Sequence, residues 1–194
     1  MFGPFSSSSF FWAGIVIVAY LITSAVQLLV IFPIELSLFG KNTVFASFLF
    51  LPHAVRVLSA WLLGPKSLLA IIPAGIAVSW LSGNLHGYLG EEFSTQVLIY
   101  IFADCSAVVA FEFMRLCKID AYPKTIGVIS WRTVLFGGIL ASVINSIGST
   151  WLRVFYIDPS SILEVISRFM LGDTLGLMLG MFSIMIVFKL IRNK

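Results

Sequence analysis

Six apolar stretches, each near the length of a membrane-crossing helix, constrain the fold of this chain more than any other feature. A helix needs about 20 apolar residues to cross the hydrocarbon core of a bilayer. The sequence therefore predicts an all-α, polytopic transmembrane helix bundle that forms a single membrane domain over residues 1–194. The six predicted spans lie near residues 10–32, 42–63, 67–83, 94–117, 133–153 and 170–190.

The composition agrees with a membrane protein. Hydrophobic residues make up 59% of the chain and charged residues 11%, and the mean hydropathy is +1.04, which is not typical of a soluble surface. The formal net charge of +3 is therefore interpreted as a signal of topology. We expect the lipid bilayer, and no nucleic acid, as a partner.

The distribution of basic residues predicts the orientation of the chain. With six spans both termini lie on one side, and cytoplasmic loops are enriched in lysine and arginine. Most of the basic residues fall on the side of the termini: Lys66, Arg115, Lys118, Lys124, Arg132, Lys189, Arg192 and Lys194. The far side receives Lys41, Arg153 and Arg168 with Glu35, Glu91, Glu92, Asp158 and Glu164. We predict that both termini lie in the cytoplasm, an N-in, C-in orientation.

His53 and Arg56 stand inside the predicted second span, where ionisable groups are costly unless they are paired or hydrated. They are one helical turn apart and should share a face. Arg56 lies near the limit of what a snorkelling side chain can reach from the helix end, so we expect it to face the bundle. One interpretation gives the pair a binding or coupling role, and the other places Arg56 in a buried ion pair that fixes helix register.

Asp104 and Glu112 are the acidic residues of the predicted fourth span. They lie about 2.2 turns apart, so both can line one interior seam. Glu112 can pair with Arg115 on its own helix, whereas Asp104 needs a partner from another helix, for which Arg56 is the obvious candidate. Passage of protons or ions along these acidic residues, Arg56 and His53 is a further hypothesis.

Two more polar residues stand in the last two spans. Asn145 lies midway along the fifth, in a run of small residues, and is predicted to contribute to helix packing. Asp173 lies near the outer end of the sixth, five residues after Arg168. We predict that it either pairs with Arg168 or helps to line an outward-facing pocket.

Three glycines recur every four residues in the last span. Gly172, Gly176 and Gly180 would form one smooth helix face, and such spacing indicates close helix contact. The sequence therefore predicts a helix-packing face, and we expect partner membrane proteins to contact it.

Catalytic signatures are not found in the sequence. It contains no HExxH, GxSxG, Walker-type glycine loop or CxxC motif, and each of these marks a particular chemistry. The two histidines stand far apart, on predicted opposite halves of the membrane. We therefore predict a protein without enzymatic activity and without a metal site, and the sequence indicates no particular cofactor.

Two patches of the chain resemble the MASE-type membrane-associated sensor domain of bacterial signalling proteins. The first is "FLPHAVRVLSAWLLGPKSLLAIIPAGIAVSW" at residues 50–80, and the more specific second is "RFMLGDTLGLMLGMF" at residues 168–182. Between them "IYIFADCSAVVAFEFMRL" resembles the middle helix of the family with its acidic residue, so the likeness covers roughly residues 45–190. The family usually has more spans, and it has small apolar residues at the positions of His53 and Arg56.

This resemblance implies a sensor function and a location in the bacterial cytoplasmic (inner) membrane. The family normally feeds a cytoplasmic cyclase, phosphodiesterase or kinase domain, and none is recognisable in the 194 residues. We therefore expect signalling through another protein. The expected function is that of a stand-alone, non-enzymatic sensor-like or accessory subunit that packs against other integral membrane proteins in a protein complex.

A second resemblance rests on size and topology. The substrate-binding subunits of energy-coupling-factor vitamin transporters are also compact six-helix proteins of about this length. This likeness implies an alternative function, the small-solute-binding subunit of a transporter. Its small-molecule ligand would occupy an outward-facing pocket built from Asn84, His86, Glu91 and Asp173.

Overall fold

The structure is a computed structural model that describes residues 7–39, 47–86, 93–123 and 131–192. Within these ranges the chain is helical and contains no β-strand. The helices are α1 (Ser7–Val26), α2 (Phe32–Phe39), α3 (Pro52–Leu63), α4 (Leu68–His86), α5 (Phe93–Leu116), α6 (Trp131–Leu152) and α7 (Ile162–Arg192). A π-helical turn, Gln27–Ile31, joins α1 to α2, and a 3-10 turn, Gly64–Ser67, joins α3 to α4.

The helices confirm the all-α prediction. By length and composition, five helical stretches of the described ranges are long and apolar enough to cross a membrane: Phe10–Phe39, Pro52–Gly83, Phe93–Leu116, Trp131–Leu152 and Pro159–Ile186. The second of them contains both α3 and α4. The first and last are longer than predicted, because the first helix continues to Phe39 and α7 begins at Ile162. α4 runs on as one helix through Pro73.

The predicted second span, 42–63, is not one helix in its described part. Residues 47–51 are non-helical, α3 begins at Pro52, and residues 40–46 lie outside the described residues. Proline is favourable in the first turn of a helix because the missing N–H has no partner to lose there. α3 has 12 residues, a length of about 18 Å, which is too short to cross the hydrocarbon core.

The chain reverses direction between α3 and α4. α3 ends at Gly64, which has φ 60° and ψ −148°, a conformation open to glycine because it has no Cβ. Arg56 before this turn and Gly75 after it both lie against the carboxylate of Asp104. In one straight helix Arg56 and Gly75 would be about 28 Å apart along the axis. α3 and α4 therefore run in opposite directions.

α3 is the central element of the bundle. It packs against α1, α5, α6 and α7, while the outer helices are neighbours in the order α1, α4, α5, α6, α7. Both large apolar cores use residues of α3. Val57 is fully buried in one core with Phe111 and Leu177, and Val55 packs against the other, which contains Ile71.

The non-helical residues 47–51 are fixed to the helices on both sides. From the π-helical turn, Gln27 accepts a hydrogen bond at Oε1 from the N–H of Leu51, at 3.2 Å. From α7, the carbonyl of Gly172 accepts one from the N–H of Phe50, at 3.0 Å. The segment therefore fills the space between the first helix and α7, just before α3 begins.

This segment lies near the middle level of the long apolar helices, and in a bilayer that these helices cross it would be at membrane depth. Tyr20 of α1 is hydrogen-bonded to Asp104, which stands near the midpoint of α5. Gln27 is about 10 Å further along the helix axis, and it contacts residues 47–51. The segment is thus within the half-thickness of a hydrocarbon core that is about 30 Å across. Non-helical backbone is tolerated at this depth only where it is enclosed by protein or lines a cavity.

Glu35 satisfies two further backbone groups of the segment. Its Oε1 atom accepts hydrogen bonds from the N–H groups of Phe48 and Leu49, at 3.0 and 3.1 Å. The residue is only 6% exposed, although the sequence placed it among the charges of the far side. Its role is therefore to hold backbone that has no helical partner.

Replacing Glu35 by alanine is expected to lower the free energy of unfolding by about 1–3 kcal/mol. The partly buried N–H of Phe48 loses its acceptor, and that of Leu49 keeps only the 3.3 Å bond to Ser47 Oγ. Glu35→Gln is the matched control, since the amide oxygen still accepts both bonds. Denaturant unfolding in mixed micelles measures both variants. Equal losses for the alanine and glutamine variants would contradict this role.

Candidate functional site

Two groups of buried polar side chains hold α3 in the bundle. The first, named here the arginine cluster, consists of Tyr20 of α1, Arg56 of α3 and Asp104 of α5. Arg56 Nε donates to Asp104 Oδ1 at 2.8 Å, and Arg56 Nη2 donates to the Tyr20 hydroxyl at 2.7 Å. The Tyr20 hydroxyl in turn donates to Asp104 Oδ1 at 2.8 Å. The three groups form a closed triangle that joins three helices.

The arginine cluster is withdrawn from solvent and lipid. Arg56 and Asp104 are each 1% exposed, and Tyr20 is fully buried. The guanidinium carbon of Arg56 also lies 5.2 Å from the centre of the Phe50 ring, a cation–π distance. The predicted pairing of Arg56 with Asp104 is confirmed, and it neutralises both charges in the interior.

Gly75 of α4 completes the enclosure of this cluster. Asp104 Oδ2 has no hydrogen-bond partner among the described residues, and it lies where a Cβ of residue 75 would be. Any larger side chain there would push the carboxylate away from Arg56. Gly75 is therefore needed for the close approach of α4 and α5.

The second group, named here the histidine cluster, joins α3 to α6 and α7. It consists of His53, Asn145, Ser149 and Asp173. His53 Nδ1 lies 3.5 Å from Asp173 Oδ2, and Asn145 Nδ2 donates to the same oxygen at 2.9 Å. Ser149 donates to Asn145 Oδ1 at 3.0 Å. His53 and Asp173 are both fully buried.

The histidine cluster decides between the interpretations of Asp173 and Asn145. Asp173 does not pair with Arg168, which instead forms an ion pair with Glu164 at 2.6 Å. Nor is it exposed in an outward-facing pocket, since its exposure is 0%. Asn145 does join two helices, as predicted for a packing residue, and it does so through its hydrogen bond to Asp173.

Glu112 does not share a buried seam with Asp104. It lies near the end of α5, where its side chain is 26% exposed, and it pairs with Arg115 as predicted. Tyr122 donates a hydrogen bond to Glu112 at 2.8 Å. Partial burial, and then this bond to a carboxylate, raises the pKa of Tyr122. The prediction of one continuous acidic seam is wrong, because the intervening turns of α5 carry Glu112 to the rim of the bundle.

The glycine face of α7 packs inside the chain. Added Cβ atoms at Gly172 and Gly176 would overlap the carbonyl oxygens of Ser47 and Phe50, and one at Gly180 would overlap Ala54. The three glycines are helix-packing residues, as predicted. Their contact is with residues 47–54 of the same chain, so the expectation that partner proteins cover this face is wrong.

Part of the outward-facing pocket that the sequence suggested cannot be compared with the fold. Glu91 and the side chains of Asn84 and His86 lie outside the described residues. Of the four proposed pocket residues, Asp173 belongs to the buried histidine cluster.

Three residues of the buried network were not among the candidates from the sequence. Tyr20, Gln27 and Glu35 all lie on the first helix and bind groups far along the chain. Tyr20 and Gln27 interrupt an otherwise apolar run, and polar residues at membrane depth are functional candidates by default. That signal identifies the residues but not their partners.

The two clusters can hold protons and fix helices, and each does so without exposed charge. In the described part of the chain no three histidine, cysteine, aspartate or glutamate residues meet as a metal site requires. The chemistry available at the described clusters is therefore that of ion pairs, hydrogen bonds and proton exchange.

The fold and these clusters define a class: a helical protein whose described residues include five helices long and apolar enough to cross a membrane. A short central helix is held in it by buried ionisable side chains. No family model, curated protein or solved structure matches the chain. The likeness to MASE-type domains stays a prediction, carried by two patches that lie against each other at the histidine cluster.

Proposed function

We propose that the protein is a non-enzymatic, sensor-like subunit of the bacterial inner membrane that acts on a partner membrane protein through α7. The observation that carries this proposal is the continuity of α7. This helix contacts α3 at the histidine cluster and continues unbroken to Arg192. A change in how α3 packs against α7 would therefore act directly on one continuous helix.

The carboxy-terminal third of α7 supplies the output surface. Residues 182–186 are exposed all round the helix, and they are mostly large and apolar. The last turn is basic, with Lys189 and Arg192. α7 has 31 residues, a length of about 46 Å, which exceeds the hydrocarbon thickness of about 30 Å. This end can pack against a second membrane protein near the cytoplasmic surface.

An N-in, C-in topology is part of the proposal. In the proposed topology residues 47–63 count as one of six passes, and α1 would begin and α7 would end on one side. α3 and α5 also end on a common side, because Trp61 Nε1 donates to the carbonyl of Ala121 at 2.6 Å. The basic residues of these ends are Lys66, Arg115, Lys118, Lys189 and Arg192. Their side is assigned to the cytoplasm by the positive-inside rule.

Site-specific photo-crosslinking in native membranes tests the output surface. A photo-reactive amino acid replaces Met185 of α7, which is 63% exposed, or Phe113 of α5, which is 54% exposed near the same side. We expect one stoichiometric protein adduct from position 185 and only lipid adducts from position 113. Lipid adducts alone from both positions, or the same protein from both, would argue against α7 as the output helix.

A second function is favoured by a specific observation. Non-helical backbone at membrane depth beside the start of a short helix is an arrangement in which transporters bind substrates, and residues 47–51 with α3 have it. A solute-binding subunit would be stabilised by its ligand as RT ln(1 + [L]/Kd). Concentration-dependent thermal stabilisation by one small solute, without a protein adduct at position 185, would favour this alternative.

A further inference from the structure

The hydrogen bond at one ring nitrogen of His53 determines the state of the other. His53 Nε2 lies 3.2 Å from the carbonyl oxygen of Gly138 on α6. A carbonyl oxygen only accepts, so Nε2 must carry the hydrogen of this bond. In a neutral imidazole the second nitrogen, Nδ1, is then a bare acceptor.

Nδ1 faces another acceptor. Asp173 Oδ2 is 3.5 Å away, and an ionised carboxylate has only lone pairs to offer. Nδ1 has no hydrogen-bond donor among the described residues, and neither does Asp173 Oδ1. Two acceptors enclosed without a hydrogen between them repel each other and lose the solvation that water would give. The geometry therefore favours one more proton at this contact.

The surrounding charges favour the same added proton. Arg56, on the same helix as His53, is paired with Asp104 of α5, and Tyr20 of α1 bridges that pair. α6 presents only neutral groups to the histidine cluster, the Gly138 carbonyl and the Asn145 and Ser149 side chains. With neutral His53 and ionised Asp173 the two clusters would carry one net negative charge in the interior. One added proton makes the sum zero.

We propose that His53 and Asp173 form a proton-binding site that holds one exchangeable proton between Nδ1 and Oδ2. The proton either makes an imidazolium that donates to the carboxylate, or stays on the carboxyl group and donates to Nδ1. Its release to a base in solution breaks one N–H or O–H bond and leaves the pair with a negative charge. Because the pair joins α3 to α7, release of the proton weakens the packing of α3 against α7.

The role of the proton rests on the proposed function: the proton would be the signal that the subunit senses. The protonated state, in which α3 packs against α7, is favoured at low pH. As the pH rises, the contact between α3 and α7 weakens. The presence of the proton does not depend on any partner, so the two proposals can be tested separately.

The chain has two histidines, so a His86→Gln variant reports on His53 alone. Nitrogen-15 NMR of this variant, labelled at histidine and held in lipid nanodiscs, gives the hydrogen on each ring nitrogen across a pH series. Infrared spectroscopy of the same sample reports whether a carboxyl group is protonated. We expect either a doubly protonated ring, or an Nε2–H ring beside a protonated carboxyl group, and the loss of one proton at high pH.

Two results would overturn the proton site. One is a neutral Nε2–H ring without any protonated carboxyl group at every pH at which the protein is folded. The other is a hydrogen on Nδ1 with none on Nε2. In the Asp173→Asn variant, provided that it folds, His53 should bind no second proton in the same range.

Crosslinking from position 185 at the two ends of the pH range separates the site from its role. A protein adduct whose yield changes at least several-fold supports the proton as the signal. An unchanged adduct in a protein whose NMR shows the proton would overturn the signalling role and leave the binding site intact.

Discussion

Replacing Arg56 by methionine is expected to lower the free energy of unfolding by about 3–5 kcal/mol, because it leaves a buried carboxylate without its partner. Among the described residues Asp104 would keep only the Tyr20 hydroxyl as a donor, at a site that is 1% exposed. Methionine keeps much of the length of the arginine stem, so the loss reports the missing charge more than missing volume. Denaturant unfolding in mixed micelles measures the change.

The double variant Arg56→Met/Asp104→Asn separates pairing from packing. It removes both charges, and since the penalty of the single variant comes from one unpaired charge, we expect more than half of the stability to return. A double variant as unstable as Arg56→Met alone would show that the charges are not coupled. The comparison of the single and double variants is valid because each substitution removes the interaction without adding a new charge.

Arg115→Met is the matched control on the surface. Arg115 also pairs with a carboxylate, that of Glu112, but its side chain is half exposed. Exposed ion pairs contribute little because water already solvates both charges. We therefore expect a change of no more than about 0.5–1 kcal/mol. Similar losses for Arg56→Met and Arg115→Met would contradict the importance of burial.

Much of the fold could be predicted from apolar length and charge. Five of the six predicted spans correspond to helices α1, α4, α5, α6 and α7, because an apolar run near 20 residues has few other structures open to it in a bilayer. The partner of Asp104 was also predictable. An ionised carboxylate at membrane depth needs a positive charge, and Arg56 was the one deep candidate.

The second span was mispredicted because its backbone is satisfied from far along the chain. Residues 47–51 are as apolar as a helix, and the local signal against one continuous helix is Pro52, which begins α3. They are released from helical bonding by Gln27 and Glu35, whose side chains accept their N–H groups. Such bonds depend on the tertiary arrangement, which periodicity and composition do not contain.

The histidine cluster could not be predicted from the sequence for a related reason. His53, Asn145 and Asp173 were each recognised as candidates, but each has several possible partners among the spans. Their meeting depends on how α3 lies within the bundle, and that follows from the reversal at Gly64 and from the glycine face. The sequence therefore identified these three residues as candidates but not that they contact one another.

Gly176→Ala is expected to lower the free energy of unfolding by about 1–3 kcal/mol, the usual penalty for overpacking. The new Cβ would overlap the carbonyl oxygen of Phe50, and backbone cannot move aside as a side-chain tip can. Gly176→Leu should be worse, because three more carbons must fit against residues 47–51. Denaturant unfolding in mixed micelles measures both variants.

Gly14→Ala is the control, since a Cβ at Gly14 has no neighbour within 4 Å. Alanine is a better helix former than glycine by up to about 1 kcal/mol, so this variant should be as stable as the parent or slightly more so. Both substitutions gain the same helix propensity, and their difference therefore isolates the clash with Phe50. If Gly176→Ala were as stable as Gly14→Ala, residues 47–51 could not pack against α7 as described. The histidine cluster, which depends on that packing, would then lose its geometric basis.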